Sequence, residues 1–185
     1  EFCRVRDNRA TLAEVPARTV HATGPTNLIA TTPRALPNLP TLVGTATTSI
    51  QPGLYSGLGV LRLDFPAETD TAAVTFSGTS GRTYVFSVAA RSGTASDLNF
   101  RLQATNTATL MSGLKTIVAR AGEWTTYLFV STATSTGTGT ITFRGHTDGA
   151  VVVDVAALQL VEFLTEEDAY AFADGQMFAA GILDL

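Results

Sequence analysis

The chain has 185 residues, of which 45% are hydrophobic and only 15% are charged, and its formal net charge is −4. This length fits one compact domain with short appendages, and the apolar content excludes wholesale disorder. A single lysine and the lack of a clustered basic patch argue against a nucleic-acid partner. No apolar run approaches the ~18–20 residues that span a bilayer, so no membrane partner is expected. The 30 threonines favour β-structure because they are β-branched.

The first 26 residues contain few large apolar groups and show no sustained period. Pro16 and Gly24-Pro25 interrupt any long element there. We predict an extended N-terminal arm over 1–26 that contacts another chain, since arginine makes planar, bidentate contacts to carboxylates and carbonyls. Its candidate contact residues are Arg4, Arg6, Arg9 and Arg18. The alternative is a flexible terminus.

Short β-like runs separated by turn residues occupy residues 27–163. The predicted strands are 60–65, 72–76, 83–89, 98–103, 115–119, 124–130, 141–144, 151–155 and 157–163. The Ser/Thr/Gly-rich stretch 131–139 is interpreted as a loop. Many antiparallel strands without intervening helical periods predict an all-β fold, an antiparallel jelly-roll β-sandwich.

Residues 164–185 differ in character and predict a short helix followed by an apolar tail. Thr165 is the expected N-cap, with acidic residues in the first turn, and Asp174-Gly175 is the expected end. The tail is predicted either to fold back or to contact a partner, and identical tails favour a homo-oligomer, most simply a trimer. Its candidate contact residues are Met177, Phe178, Ile182, Leu183 and Leu185.

Four segments, in their order and spacing, resemble phage tail-fibre and head-spike proteins. They are the lead-in at 9–11, 15–18 and 25–29, the strand at 84–93, the Gly-x-Trp strand start at 122–127 and the closing strand at 151–162. In that family the lead-in precedes a carbohydrate-binding-module-like jelly roll. The resemblance therefore implies a virion structural protein, located on the virion surface, with capsid, neck or tail proteins as partners and a host surface glycan as a further partner.

Aromatic side chains are the candidate glycan contacts, because they pair with the apolar faces of sugar rings. They are Tyr55, Trp124 and Tyr127. For Trp124 we favour a core position at the start of a strand, since tryptophan is largely buried in most proteins. Tyr55 lies in a Gly-rich stretch, where it either faces a ligand or packs on a sheet rim.

Asp154 is the candidate ligand of a structural Ca²⁺, and no other cofactor is expected. One cysteine and two histidines leave little material for a Cys/His metal site. Nothing in the sequence places two carboxylates across a cleft, as glycosidases require, so no enzyme is predicted. The resemblance, together with the arm and the apolar tail that are predicted to contact partners, favours a virion structural protein, such as a subunit of a fibre, spike or other appendage. The alternatives are a carbohydrate-binding module without catalytic activity and a capsid decoration protein.

Overall fold

The computed structural model describes residues 28–29, 41–55, 58–105 and 114–179. The predicted arm at 1–26 and the residues after 179 lie outside this part. The described chain forms ten strands and one helix. They are β1 (Val43–Gly44), β2 (Thr47–Tyr55), β3 (Leu58–Phe65), β4 (Thr71–Gly78), β5 (Thr83–Ser92), β6 (Leu98–Ala104), β7 (Lys115–Ala119), β8 (Thr125–Thr132), β9 (Gly137–Arg144), β10 (Val151–Phe163) and α1 (Glu166–Ala179).

The strands form two five-stranded sheets, with all pairings antiparallel. The first sheet has the order β1-β4-β9-β6-β7, and the second has the order β2-β3-β10-β5-β8. Burial alternates along β4 and β9, as expected when one face of a strand packs on a core. The prediction of an all-β, antiparallel jelly-roll β-sandwich is confirmed.

Aromatic rings from both sheets meet in the core between them. Phe143 of the first sheet is fully buried, and its ring lies 6.3 Å from that of Phe86 in the second sheet. It also stacks at 6.4 Å on Phe100 of the neighbouring strand. Phe143 therefore connects the two layers of the sandwich.

The stretch 131–139, predicted as a loop, is mostly strand, and that prediction is wrong. β8 continues to Thr132, and β9 begins at Gly137. Threonine suits a pleated strand, and a Cβ at Gly139 would lie only 2.3 Å from the ring of Phe76 on β4. The Thr/Gly alternation thus pairs with β4 and leaves room for that ring.

β10 was predicted as two runs, and it is one strand with a β-bulge. Between Ala156 and Gln159 the pairing register advances by three residues on β10 and by only two residues on β5. The φ of Ala157 within this interval is +51°. The extra residue changes which face the later residues occupy. As a result, Leu158 and Leu160 point into the core while Ala156 lies on the outer face.

Thr165 caps α1 as predicted, because its hydroxyl oxygen accepts a 3.1 Å hydrogen bond from the Asp168 backbone N–H. The predicted end at Asp174-Gly175 is wrong, since the helix continues to Ala179. Ala169 and Ala173 pack against Val85 and Val130. α1 therefore covers part of the outer face of the second sheet.

Among the described residues, no helix has the length and apolar character needed to cross a membrane.

Candidate functional site

A row of charged side chains crosses the outer face of the second sheet. Asp154 on β10 lies directly opposite Arg62 on β3 and Arg91 on β5. Directly opposite residues in antiparallel strands share one face, and the neighbours Val153 and Val155 point into the core. The three charged side chains therefore lie side by side on the face that points away from the core.

Asp154 is 1% exposed and holds both arginines. The Nε of Arg62 donates to Oδ1 at 2.8 Å and its Nη2 donates to Oδ2 at 3.1 Å, while the Nε of Arg91 donates to Oδ2 at 3.2 Å. The hydrogen bond to Asp154 raises the pKa of Arg62 above its ordinary value. The arginine side chains remain 34% and 37% exposed. Both guanidinium groups are therefore held in a fixed orientation at the surface, while the carboxylate stays covered.

Trp124 extends this row beyond β5. Its ring lies under the guanidinium of Arg91, whose Cζ is 4.7 Å from the ring centroid, a cation–π contact. Thr125, the next residue, pairs with the core residue Ala90, so alternation places Trp124 on the outer face. It is half-buried, and the preference for a core tryptophan is wrong.

Tyr55 joins the row from the far side of the sheet. β2 and β8 are the two edges of the second sheet, yet the ring of Tyr55 lies 4.8 Å from that of Trp124 at an angle of 47°. Its hydroxyl shares a 3.3 Å hydrogen bond with the Thr126 hydroxyl. The end of β2 therefore reaches across the outer face, where Ala89 and Ala156 are fully buried register partners. Their small side chains allow this close approach.

We call this set of side chains the aromatic–arginine patch. Its members are Tyr55, Arg62, Arg91, Trp124, Thr126 and Asp154. Tyr127, the third predicted glycan contact, is not among them. It packs against the core on the other face, and its hydroxyl donates to the Val118 carbonyl. Burial raises the pKa of the Tyr127 hydroxyl above its ordinary value.

The structure places Asp154 in an ion-pair network, where both carboxylate oxygens accept from guanidinium groups. In the described ranges, no group of three or more His, Cys, Asp or Glu side chains is arranged to hold a metal ion. Ca²⁺ binding at Asp154 stays a prediction.

The predicted partner contacts fall largely outside the described residues. The predicted contacts that lie outside are Arg4, Arg6, Arg9, Arg18, Ile182, Leu183 and Leu185. Met177 and Phe178 lie within α1, and their side chains are outside the described part. Sequence reasoning missed Arg62, Arg91 and Thr126 as site residues. One signal was present, because both arginines interrupt apolar strands at positions that alternate with core residues.

The patch combines two kinds of recognition. The rings of Tyr55 and Trp124 offer apolar contact area, while Arg62, Arg91 and Thr126 supply hydrogen-bonding groups held by neighbours. A small-molecule site typically pairs apolar and aromatic surface with a few placed polar groups. This arrangement suits a ligand that has both apolar ring faces and many hydroxyl groups.

Two solved structures resemble this one with TM-scores of 0.51. One holds the CBM22-1 and GH10 modules of Clostridium thermocellum endo-1,4-β-D-xylanase 10B complexed with xylohexaose. That match has 15% identity and covers 65% of this chain and 26% of the xylanase chain. The other is the CBM22-1 xylan-binding domain of Paenibacillus barcinonensis Xyn10C, with 7% identity over 66% of this chain and 84% of that one.

At these identities the likeness shows the fold alone, which is the jelly roll of carbohydrate-binding modules. No protein-family model matches the chain, and no curated protein sequence matches it. Neither named structure is a phage virion protein. The jelly roll is the fold that both the virion interpretation and the carbohydrate-binding alternative predicted.

Proposed function

We propose that this protein is a carbohydrate-binding module whose ligand site is the aromatic–arginine patch. The observation that carries the proposal is the contact between Tyr55 and Trp124, 4.8 Å apart, beside two arginines fixed by one buried carboxylate. Exposed faces of the two rings would pack on the apolar faces of a sugar. The free edges of the guanidinium groups would donate to its hydroxyls.

The fixed geometry of the patch favours binding because it lowers the entropy lost when a ligand orders the site. Arg62 and Arg91 are oriented by Asp154, and Arg91 is also held against Trp124. Tyr55 is anchored through its hydroxyl to Thr126. Each contact residue is therefore held by a neighbour before the glycan arrives.

We propose binding without catalysis. Glycoside hydrolysis requires two carboxyl groups that flank the scissile bond. The patch as defined holds one carboxylate, Asp154, which is buried and accepts hydrogen bonds from two arginines. It is not free to act as an acid, a base or a nucleophile.

Replacing Tyr55 with alanine is expected to weaken glycan binding at least tenfold, about 1.4 kcal/mol. The variant removes one ring of the pair and the anchor to Thr126. Isothermal titration calorimetry against xylohexaose, xylan fragments and other soluble oligosaccharides measures the loss. Xylan ligands come first because one structural neighbour was solved with xylohexaose and the other is a xylan-binding domain.

Tyr170→Ala is the matched control, since Tyr170 is a 39% exposed tyrosine on α1 outside the patch. It should bind the same glycan with the affinity of the parent protein. Equal weakening by both variants, or full affinity in Tyr55→Ala, would contradict a site at the patch.

A virion role is a second proposal, and it rests on the resemblance of residues 8–163 to phage fibre and spike proteins. In it the arm and the apolar tail join the module to other virion proteins as a homotrimer on the virion surface. The two proposals are compatible, because a glycan-binding module on a virion would contact the host surface. Mass spectrometry of purified phage particles tests directly whether the chain is one of their components.

A further inference from the structure

Two arginines face each other on the outer face of the first sheet, on the other side of the sandwich from the aromatic–arginine patch. Arg144 on β9 is the direct register partner of Arg101 on β6. Their neighbours Phe143 and Leu102 point into the core, so both arginines point outward. Like charges directly opposite each other in a sheet are destabilising, and such a pair calls for a compensating group.

The guanidinium of Arg101 donates its hydrogen bonds mainly to neutral backbone carbonyls. Its Nε donates to the Gly145 carbonyl at 2.7 Å, and its Nη2 donates to the Glu68 carbonyl at 2.9 Å. The Glu68 carboxylate is 3.9 Å away and 50% exposed. Solvent screens such an exposed pair strongly, so the positive charge of Arg101 is only weakly compensated.

Among the described residues, Arg144 has no such compensation. The other arginines of the described chain each lie within 4.0 Å of a carboxylate; they are Arg62, Arg82, Arg91, Arg101 and Arg120. Arg144 forms no ion pair there, and its Nε is buried without a hydrogen-bond partner. An unsatisfied buried donor in a folded protein calls for a water, an ion or a functional role.

Hydroxyl groups flank the pair on both sides. Thr71 is the register partner of Arg144 on β4, and Thr116 is that of Arg101 on β7. The nearby acidic groups have partners of their own. Asp148 accepts from Asn99 and lies 2.9 Å from His146, while Asp70 accepts from the Ala67 backbone N–H.

We infer that Arg101 and Arg144 bind an oxyanion, meaning a carboxylate, sulfate or phosphate group, on the outer face of the first sheet. Guanidinium groups present paired donors that match the oxygens of these anions. The bound anion would offset the repulsion between two adjacent positive charges. This site stands independently of the proposed glycan site, because the two lie on opposite outer faces of the sandwich.

This inference is tested by measuring the Tm in sodium sulfate and in sodium chloride at equal ionic strength. We expect sulfate to raise the Tm of the parent protein saturably, by about 3 °C at ten times Kd. Sulfate stabilises many proteins without a specific site, so only the difference between matched variants counts. Arg144→Gln should lose the saturable rise, and Arg82→Gln, which removes an arginine 4.0 Å from Glu162, should keep it.

In low-salt buffer without oxyanions, the Tm of Arg144→Gln should equal or exceed that of the parent protein, because the substitution relieves repulsion. With sulfate added, the parent protein should have the higher Tm. Parallel titrations with inorganic phosphate and with glucuronate distinguish a phosphate source from an acidic sugar. The Arg144 Nε–Hε NMR resonance of the parent protein gives a readout that needs no variant. An equal sulfate response in the parent and Arg144→Gln, or no saturable shift of that resonance, would overturn the inference.

Discussion

Replacing Asp154 with alanine is expected to lower the free energy of unfolding by about 3 kcal/mol. The substitution leaves Arg62 and Arg91 side by side without the carboxylate that separates them. The effect falls at the lower end of the range for buried pairs, because both arginines are about one-third exposed and retain partial solvation. Urea unfolding, followed by circular dichroism, measures the change in midpoint and slope.

A triple variant separates stability from recognition. When Arg62, Asp154 and Arg91 are all replaced by leucine, neither the buried carboxylate nor an unpaired arginine of the network remains, and the stability should return to within about 1 kcal/mol of the parent protein. The same variant should lose glycan binding, because the oriented donors are gone. An Asp154→Ala protein that unfolds at the parent urea midpoint would show that the ion-pair network does not join these strands.

The Phe143→Ala variant is expected to lose about 4 kcal/mol of stability. Phe143 is fully buried and contacts rings of both sheets, so its removal leaves a cavity at the centre of the sandwich. The neighbouring strands are held by backbone pairing and have little freedom to collapse into that space. Urea unfolding at equal protein concentrations measures the loss.

Phe172→Ala is the matched control for Phe143→Ala. Phe172 is half-buried on α1, where it contacts Phe163 at 5.2 Å beside the smaller apolar cluster under the helix. It should cost clearly less than Phe143→Ala, because part of its ring already faces solvent. Equal losses from the two variants would mean that the core between the sheets does not dominate stability.

Most of the strands could be predicted from the sequence, because alternation reports which face of a strand is buried. The run at 98–103 and β7 are examples. β2 was missed because Pro52-Gly53 signals a turn, while its pairing with β3 depends on tertiary contacts. The bulge at Ala157 was missed for a related reason, since it is visible only against the register of β5.

The candidate site was predictable by residue type and not by arrangement. Tyr55 and Trp124 could be named because aromatic side chains are few, but sequence reasoning placed Trp124 in the core. The link between Arg62 and Asp154 joins residues 92 positions apart. Such contacts follow from strand order and register, which local patterns do not determine.

The fluorescence of Trp124 tests the central claim most directly. Trp124 is the only tryptophan in the chain, so its emission reports on the aromatic–arginine patch alone. The chain is titrated with each oligosaccharide that calorimetry finds to bind. We predict a saturable change in Trp124 emission, with the calorimetric Kd, that is lost or shifted to far higher concentration in Tyr55→Ala. Glycan binding that leaves the emission of Trp124 unchanged, or that is undiminished in Tyr55→Ala, would contradict the proposed site.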